Sequence, residues 1–269
     1  RDSAGAVHVF MNRCRHRANS VCQFERGNSA YFRCAYHGWT YNNDGRLVGV
    51  PYAQGAYNGD FAKENFPLVS VPRTATYRGF VWGSLSESGK SLDEHLGTRA
   101  KHAIDLFCDA SPSGEISVRA GANKTVIYAN WKFQGGDGYH PPFTHQADFG
   151  SIRAARAGRP NALSQAIKEE TTLSRDLGGG HSCLDIRQLR RPPAFDAPWA
   201  QTYRQSMIES YGETRAEYIM ASGGPHAIVM PNCQLLNPDI RVTRPDAADQ
   251  FEITFYTAFL KDVPKEVNT

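Results

Sequence analysis

Two short motifs of cysteine and histidine near the start of the chain constrain its fold more than any other feature. The first is C-x-H at Cys14 and His16, and the second is C-x-x-H at Cys34 and His37. Each spacing lets a thiolate and an imidazole reach one centre, which predicts a metal site with two sulfur and two nitrogen ligands. The residues allow a closed zinc site or a [2Fe–2S] cluster with two Cys on one iron and two His on the other. Common zinc fingers place the Cys pair before the His pair, so the mixed pairs here favour the cluster.

A second candidate metal site lies further along the chain, at Asp137, His140 and His145. Asp137 and His140 are three residues apart and would share a helix face, where the carboxylate can fix the tautomer of a ligand histidine. His140 and His145 are about 140° out of register on an ideal helix, so the chain must bend between them, and Pro141 and Pro142 would provide that bend. Two His and a carboxylate predict a non-haem Fe(II) site open to O₂ and substrate. Two ordinary histidines near an Asp in a loop are the alternative.

The pattern of strands and turns predicts an α+β fold with two domains, residues 1–88 and 89–269. In the first we expect short strands near 7–11, 30–35, 39–41 and 77–85. A capping box at Ser91 predicts a helix that continues to Phe107. In the second domain we expect an antiparallel sheet flanked by helices, similar to the helix-grip type. Its predicted strands are near 115–120, 124–129, 227–230, 233–236, 239–243 and 251–260, and its predicted helices near 130–140 and 199–219.

Two segments of this second domain carry further predictions. The stretch 150–195 is polar and rich in Arg and Gly, which predicts long connections with some helix near 161–169. Pro245 and Asp246 predict a turn between the last two strands.

Composition excludes several classes of function. Hydrophobic residues make up 41% and the net charge is only +3, which suits a soluble protein and argues against nucleic-acid binding. No apolar run approaches the roughly 20 residues of a membrane span, and no secretory signal is present. Six cysteines in 269 residues are too sparse for a disulfide scaffold, so we expect a cytoplasmic protein. No G-x-G-x-x-G follows a strand, which argues against flavin or nicotinamide binding.

The residues around both metal motifs resemble one family. Residues 12–17 and 34–40, including Gly38 and Trp39 after the second histidine, resemble the Rieske domain of ring-hydroxylating oxygenase large (alpha) subunits. The segment from Asn130 to His145 is similar to the mononuclear iron motif of the same family. The resemblance implies that a [2Fe–2S] cluster is held by Cys14, His16, Cys34 and His37. It also implies that His140 and His145 bind a mononuclear Fe(II), and that Asp137 is the electron-transfer bridge and not itself a ligand.

The resemblance has departures and limits. The segment between Trp131 and Asp137 is about three residues shorter than is usual in the family. The third iron ligand, a carboxylate in the family, is expected beyond Thr269, and the chain looks cut at both ends. The runs around Asp137 and at 109–115 resemble the benzoate, toluate and aminobenzoate branch, which implies an aromatic acid as substrate.

The function implied by the resemblance is that of a terminal oxygenase. It would dihydroxylate an aromatic ring with O₂, using NAD(P)H-derived electrons from a separate ferredoxin or reductase. Transfer between subunits implies an α₃ or α₃β₃ oligomer. A Rieske monooxygenase or demethylase, a Rieske electron carrier and a zinc-stabilised binding module are the alternatives.

The remaining histidines and cysteines have no partner at metal-site spacing. We expect the histidines to be structural or exposed: His8, His95, His102, His181 and His226. We expect the cysteines to be small buried apolar residues: Cys22, Cys108, Cys183 and Cys233.

Overall fold

The computed structural model describes residues 1–118, 121–138, 173–185, 197–222, 226–236 and 238–268. The chain divides into two compact units, Arg1–Leu92 and Asp93–Thr269. The division falls after residue 92, whereas the sequence predicted a boundary after residue 88.

The first unit is built from short strands. Its elements are β1 (Tyr31–Arg33), β2 (Thr40–Asn42), β3 (Leu47–Gly49), α1 (Ala53–Ala56), a 3₁₀ helix (Lys63–Asn65), β4 (Arg73–Tyr77) and β5 (Phe80–Ser84). Strands β1, β2 and β3 form one antiparallel sheet in that order, and β4 and β5 form a separate hairpin. The strand predicted at 7–11 is wrong, because within it only Phe10 makes a bridge, to Ser70.

A tight turn between β2 and β3 closes the small sheet. The amide of Gly45 donates to the carbonyl of Asn42 at 2.9 Å, with Gly45 at φ 88°. A Cβ on Gly45 would lie 2.5 Å from the ring of Phe10, so both the backbone angle and the packing require glycine. The core under this sheet consists of Cys14, Val21, Cys34, Trp39, Tyr41, Leu47 and Leu68. The two predicted ligand cysteines are therefore part of the core.

The second unit mixes helices with a large sheet. Its described helices are α2 (Leu92–Cys108, interrupted at Gly97, which has φ 59°), a 3₁₀ helix (Trp131–Gly138), α3 (Pro198–Tyr211), α4 (Glu213–Ser222) and a 3₁₀ helix (Lys265–Asn268). Its strands are β6 (Ile116–Ser117), β7 (Asn123–Ile127), β8 (Leu173–Gly178), β9 (His181–Asp185), β10 (His226–Val229), β11 (Cys233–Leu236), β12 (Asp239–Ala247), β13 (Gln250–Thr257) and β14 (Phe259–Leu260). The α+β class predicted from the sequence is confirmed.

Seven strands form one antiparallel sheet in the order β7-β13-β12-β11-β10-β9-β8. Strands β8 and β9 fall inside 150–195, where the sequence predicted connections, so that prediction is wrong for these residues. Their hairpin turns through three glycines at positive φ, Gly178, Gly179 and Gly180. An edge strand such as β8 can keep polar side chains exposed, and its composition therefore resembles that of a loop. The helix predicted near 161–169 lies outside the described residues.

The turn predicted at Pro245 and Asp246 is also wrong. Both residues belong to β12, which pairs with β13 as far as Ala247 and Gln250. The register shifts between Pro245 and Ala247. Such an irregularity accommodates a proline within a strand, because proline cannot donate to the ladder.

The single helix predicted near 199–219 is in fact two helices. They are separated at Gly212, which has φ 76°, and its amide caps α3 by donating to the carbonyl of Ile208. Both helices pack with the end of α2 in a core of Leu106, Tyr203, Met207, Ala216, Ile219 and Met220. Among the described helices none has the length and apolarity needed to cross a membrane.

Candidate functional site

The four predicted cluster ligands lie on two short loops of the first unit, each closed by backbone hydrogen bonds. In the first loop the amide of Ala18 donates to the carbonyl of Cys14 at 2.9 Å, and the amide of Cys14 to that of Asn19 at 2.8 Å. In the second, the amide of Gly38 donates to the carbonyl of Cys34 at 3.0 Å, and the amide of Cys34 to that of Trp39 at 2.8 Å. The two loops thus share one geometry, which holds each Cys/His pair in a fixed turn.

The two thiols form a buried pair. Cys14 is 4% exposed and Cys34 is 2% exposed, and the side chain of Cys14 is close enough to Cys34 to help lower the pKa of its thiol. The hydroxyl of Tyr41 lies 3.3 Å from the Sγ of Cys14, and the side-chain amide of Asn19 donates to the Sγ of Cys34 at 3.7 Å. Both sulfur atoms therefore have a polar neighbour that can stabilise negative charge.

The surroundings of Cys34 favour a thiolate. Burial alone would raise the pKa of its thiol, but hydrogen bonds from the backbone of Tyr36 and His37, and from the side chains of Asn19 and Cys14, lower that pKa. A thiolate is the form that binds iron. Burial, followed by the hydrogen bond to Cys14, raises the pKa of the Tyr41 hydroxyl. Tyr41 therefore keeps its proton and can donate it to sulfur.

The two imidazoles form a second pair beside the thiols. The ring centroids of His16 and His37 lie 4.5 Å apart. His16 stacks on Trp39 at 5.0 Å and Tyr36 packs on His37 at 3.7 Å, so an aromatic ring orients each imidazole. His16 is exposed while His37 is half-buried. Loss of some hydrating water around the ring, then the charges of His37 and Arg17, lower the pKa of His16, which favours the neutral imidazole that binds metals.

This arrangement fits a two-iron cluster. A [2Fe–2S] cluster of the Rieske kind takes a thiolate pair on one iron and an imidazole pair on the other, which is how these four side chains are grouped.

The structure describes the second predicted site only in part. Asp137 belongs to the 3₁₀ helix Trp131–Gly138, which is a tighter helix than the sequence predicted. His140 and His145 lie outside the described residues. The helix is fastened to the sheet by two hydrogen bonds: Gln134 Nε2 donates to Gln234 Oε1 at 2.9 Å, and Gln234 Nε2 donates to the Gln134 carbonyl at 2.7 Å. The segment that leads into the iron motif is thereby held against β11.

Sequence reasoning missed the residues that support these sites. Tyr41 and Asn19 contact the sulfur atoms, and Gln234 anchors the helix that contains Asp137. Tyr41 could have been suspected, since it follows Trp39 by two residues in the strand predicted at 39–41 and would therefore share its face. Gln234 gives no such signal, because its partner is 100 residues away in the sequence.

Known proteins with similar sequences decide the family. Residues 1–72, which include all four predicted cluster ligands, match the family model of the Rieske [2Fe–2S] domain. The chain is 32% identical over 272 residues to the toluate 1,2-dioxygenase subunit alpha of Pseudomonas putida, covering 95% of this chain and 58% of that protein. Residues 1–72 are a Rieske [2Fe–2S] domain, and the chain is similar over nearly its whole length to alpha subunits of Rieske ring-hydroxylating dioxygenases. The family predicted from the sequence is therefore confirmed.

Two other similar proteins carry different named activities. The N,N-dimethyl phenylurea N-demethylase subunit alpha of Sphingobium sp. (strain YBL2) is 38% identical over 249 residues, covering 88% of this chain and 51% of that protein. The crystal structure of naphthalene 1,2-dioxygenase from Rhodococcus sp. bound to indole has a TM-score of 0.77 and 27% identity, covering 99% of this chain and 62% of that one. The chain thus spans 58% of the toluate dioxygenase subunit and 62% of the naphthalene dioxygenase chain.

Proposed function

We propose that this chain is the catalytic part of a terminal oxygenase that dihydroxylates an aromatic ring. The observation that carries the proposal is the pairing of two buried thiols with two adjacent imidazoles inside a domain that matches the Rieske model. The reaction adds O₂, two electrons and two protons to an arene and gives a cis-dihydrodiol. O₂ is the oxidant, and a donor outside the chain supplies the two electrons.

The proposed ligands follow the predicted assignment. Residues 1–88 form the Rieske domain, in which the [2Fe–2S] cluster is held by Cys14, His16, Cys34 and His37. Residues 89–269 form the catalytic domain, in which His140 and His145 bind a mononuclear Fe(II). When bound, the cluster supplies one electron at a time and the mononuclear iron supplies a place for O₂.

The chain's own residues hold and orient these groups. Tyr41 donates its hydroxyl proton towards Cys14, and the amides behind Cys34 stabilise negative charge on its sulfur. The carboxylate of Asp137 would accept a hydrogen bond from the ring of His140 and fix its tautomer. Asp137 would also accept one from a Rieske histidine, which makes it the electron-transfer bridge between the two sites.

We further propose that the substrate is an aromatic acid. The support is the 32% identity to a protein named as a toluate dioxygenase subunit, together with the resemblance of residues 109–115 to the same branch. A ferredoxin or reductase would donate the electrons, and an α₃ or α₃β₃ oligomer in the cytoplasm would be the working form.

The cofactor assignment is tested first by metal analysis. The anaerobically purified holoprotein should contain iron and acid-labile sulfide in a ratio of about three to two, because a cluster and a mononuclear iron are both expected. Equal amounts of iron and sulfide would leave only the cluster and favour an electron carrier. Zinc without sulfide would overturn the proposal.

The reaction is tested by product analysis. The reduced holoenzyme is supplied with toluate, benzoate and toluene under ¹⁸O₂, and products are identified by mass spectrometry. A cis-dihydrodiol carrying both labelled atoms, formed from the acids in preference to toluene, is expected. A product with a single labelled oxygen would contradict dihydroxylation.

A demethylase is the second candidate, and one observation favours it. The N-demethylase subunit has the higher identity, 38% against 32% for the toluate dioxygenase subunit, although over a smaller share of this chain. Demethylation consumes the same O₂, electrons and protons but releases formaldehyde and water. Formaldehyde from an N,N-dimethyl phenylurea, with no diol from toluate, would select this alternative.

A further inference from the structure

Arg241 of β12 carries a buried hydrogen-bond donor that no described residue satisfies. Its side chain is 21% exposed as a whole, but its Nε is buried and has no hydrogen-bond partner in the described part of the chain. Two other described side chains share this condition, Trp82 at Nε1 and Ser182 at Oγ, and Arg241 is the charged one of the three. Since a buried donor of a cation has lost its water, this position favours an anion that can accept its proton.

The neighbours of Arg241 hold its guanidinium in place without accepting its hydrogen bonds. The Cζ atom lies 5.0 Å from the centroid of the Phe255 ring, a cation–π contact that fixes the side chain. The carboxylate of Asp239 comes within 3.8 Å of Nη2, which is too long for a hydrogen bond. The group is therefore positioned, while its N–H donors have no acceptor among the described residues.

The register of the sheet places Arg241 on the face that carries the helix Trp131–Gly138. Arg241 lies directly opposite Gln234 on β11 and Phe255 on β13, and side chains directly opposite one another project from the same face. Gln234 is the residue that makes two hydrogen bonds with Gln134 of that helix. Arg241 thus shares a face of the sheet with the anchor of the segment that leads into the proposed iron ligands.

A second residue of β12 shows the same orientation. Thr243 follows Arg241 by two positions, so its side chain lies on the same face. Thr243 lines a small cavity together with Trp131 and Gln134 of the 3₁₀ helix. The helix that contains Asp137 therefore packs on the part of β12 from which Arg241 projects.

We propose that Arg241 binds the carboxylate of the aromatic-acid substrate and makes the site select acids over neutral rings. The inference rests on the proposed function. A guanidinium pairs with a carboxylate through two parallel N–H···O bonds, and Nε with the adjacent Nη offers such a pair. The ring attached to that carboxylate then lies on the sheet face that the iron motif covers. Arg241 contacts the substrate and not the metal.

Arg244 on the same strand provides a matched control. It is three positions from Arg241, so its side chain projects from the opposite face. The side chain is 63% exposed, and its guanidinium pairs with Asp246 at 3.1 Å and with Glu252 at 3.6 Å. Replacing Arg244 with Gln removes the same charge from β12 without removing a proposed substrate contact.

The binding test measures the affinity of the oxidised holoenzyme for benzoate and for benzamide by calorimetry, where no turnover occurs. Arg241→Gln should weaken benzoate binding about 10- to 100-fold, because a pair of charge-assisted hydrogen bonds is lost. Binding of benzamide, which has a similar shape but no charge, should change less than about twofold. Arg241→Lys should fall between, since lysine keeps the charge but not the planar fork. Arg244→Gln should bind benzoate as the wild type does.

Turnover gives a second readout. The ratio of kcat/KM for toluate to kcat/KM for toluene should fall about tenfold or more in Arg241→Gln. The loss should lie in KM for toluate, because the carboxylate is bound equally before and during the reaction of the ring. The absorbance of the Rieske centre and the kinetics with toluene should remain those of the wild type.

Three outcomes would overturn the proposal. Unchanged benzoate binding in Arg241→Gln is the first. The second is an equal weakening of benzoate and benzamide together with a lower Tm, which would mean that the guanidinium serves the fold by pairing with a carboxylate of the protein itself. The third needs no variant and applies even if Arg241→Gln does not fold: wild-type protein that binds benzamide as tightly as benzoate has no carboxylate site.

Failure of this inference and failure of the proposed function are distinguishable, because benzoate binding requires no turnover. Benzoate binding that depends on Arg241, without any diol, would reject ring hydroxylation and keep the carboxylate site. A diol from toluate, with benzoate binding that does not depend on Arg241, would reject the carboxylate site and keep the reaction.

Discussion

The hydroxyl oxygen of Tyr41 lies 3.3 Å from the Sγ of Cys14, within the core of the first unit. The same oxygen accepts the amide proton of Arg15 at 3.0 Å, so its own proton is free to point at sulfur. One buried side chain thus fastens the first of the two loops to β2 and can stabilise negative charge on Cys14, a predicted ligand. Neither cluster motif contains this residue.

Replacing Tyr41 with Phe should lower both the stability of the folded protein and the reduction potential of the cluster. The amide of Arg15 would lose its partner, which we expect to cost about 1–3 kcal/mol of unfolding free energy. Loss of a hydrogen bond to a ligand sulfur should lower the reduction potential of the cluster. Denaturation and a spectroscopic redox titration measure the two effects, and an unchanged potential would contradict the role given to the hydroxyl.

Two cysteines of the first unit provide a matched test of the ligand assignment. Cys34→Ser should abolish the visible absorbance and acid-labile sulfide of the Rieske centre, because serine replaces a predicted thiolate ligand. Cys22→Ser should retain both, since the side chain of Cys22 is exposed and its thiol contacts only the carbonyl of Phe24 at 3.4 Å. Equal behaviour of the two variants would reject Cys34 as a ligand.

Acid should destabilise the second unit through His181. This fully buried imidazole accepts the amide of Met230 on Nδ1 at 3.0 Å, while Nε2 donates to the carbonyl of His95 at 2.8 Å. Burial is the main cause that lowers the pKa of His181 below the ordinary value of 6.5, and the charge of His95 lowers that pKa further. The hydrogen bond to the carbonyl of His95 and the charge of Asp176 raise the pKa, but the net effect is a lower value.

The sign of this effect follows from proton binding. Below pH 6.5 the imidazole of His181 takes up a proton in the unfolded chain but not in the folded chain. The free energy of unfolding is therefore unaffected by this group above pH 6.5 and decreases as the pH falls below that value. One such group contributes at most about 1.4 kcal/mol per pH unit. Unfolding free energies measured from pH 7.5 to 5.5 should show a steeper loss for the wild type than for His181→Asn. Identical slopes would exclude His181 as the cause.

Alanine substitutions at two neighbouring glycines in the β8–β9 turn can distinguish the cost of backbone strain from the cost of steric crowding. Gly178 and Gly179 both have positive φ, at 85° and 64°. A Cβ on Gly179 would lie 3.2 Å from Nε2 of His181 and 3.3 Å from the carbonyl oxygen of His95, whereas a Cβ on Gly178 meets nothing within 4 Å. Gly178→Ala should cost about 1–2 kcal/mol from strain alone, and Gly179→Ala should cost more. Chemical denaturation measures the unfolding free energy of the two variants, and an equal loss in both would contradict the crowding argument.

Gln234 should matter to catalysis without touching the Rieske centre. Its two hydrogen bonds with Gln134 fix the helix Trp131–Gly138, which contains Asp137. Gln234→Leu should lower oxygenase turnover about tenfold or more, because a small misplacement of positioning groups reduces rates strongly. The absorbance of the Rieske centre should not change. Wild-type turnover in this variant would show that the helix needs no such anchor.

The errors in the predicted fold have identifiable physical causes. Residues 7–11 have strand composition but form a single bridge, Phe10 to Ser70, because their pairing with the neighbouring segment is limited to the backbone hydrogen bonds between Met11 and Val69 and between Val71 and Val9. Pro245 normally signals a turn, yet the irregular register of β12 accommodates it. Strand β9 escaped prediction because its buried positions include the polar residues His181 and Ser182. His181 is satisfied by hydrogen bonds that only the folded chain can supply.

The buried-cysteine prediction was correct for some positions and wrong for one. Cys108 and Cys233 are buried, and Cys183 is half-buried, but Cys22 is exposed. Nothing in the spacing of Cys22 distinguishes it from the others. Burial depends on which segments cover a residue, and that is a property of the assembled fold.

The sequence by itself determined the α+β class, the family and the grouping of one Cys and one His in each ligand loop. These follow from local spacing, since a C-x-H or C-x-x-H pair needs only its own turn to bring two side chains together. Tertiary structure alone decided which residues support those ligands. Tyr41 reaches Cys14 across 27 positions and Gln234 reaches Gln134 across 100, and packing brings such distant partners within hydrogen-bonding range.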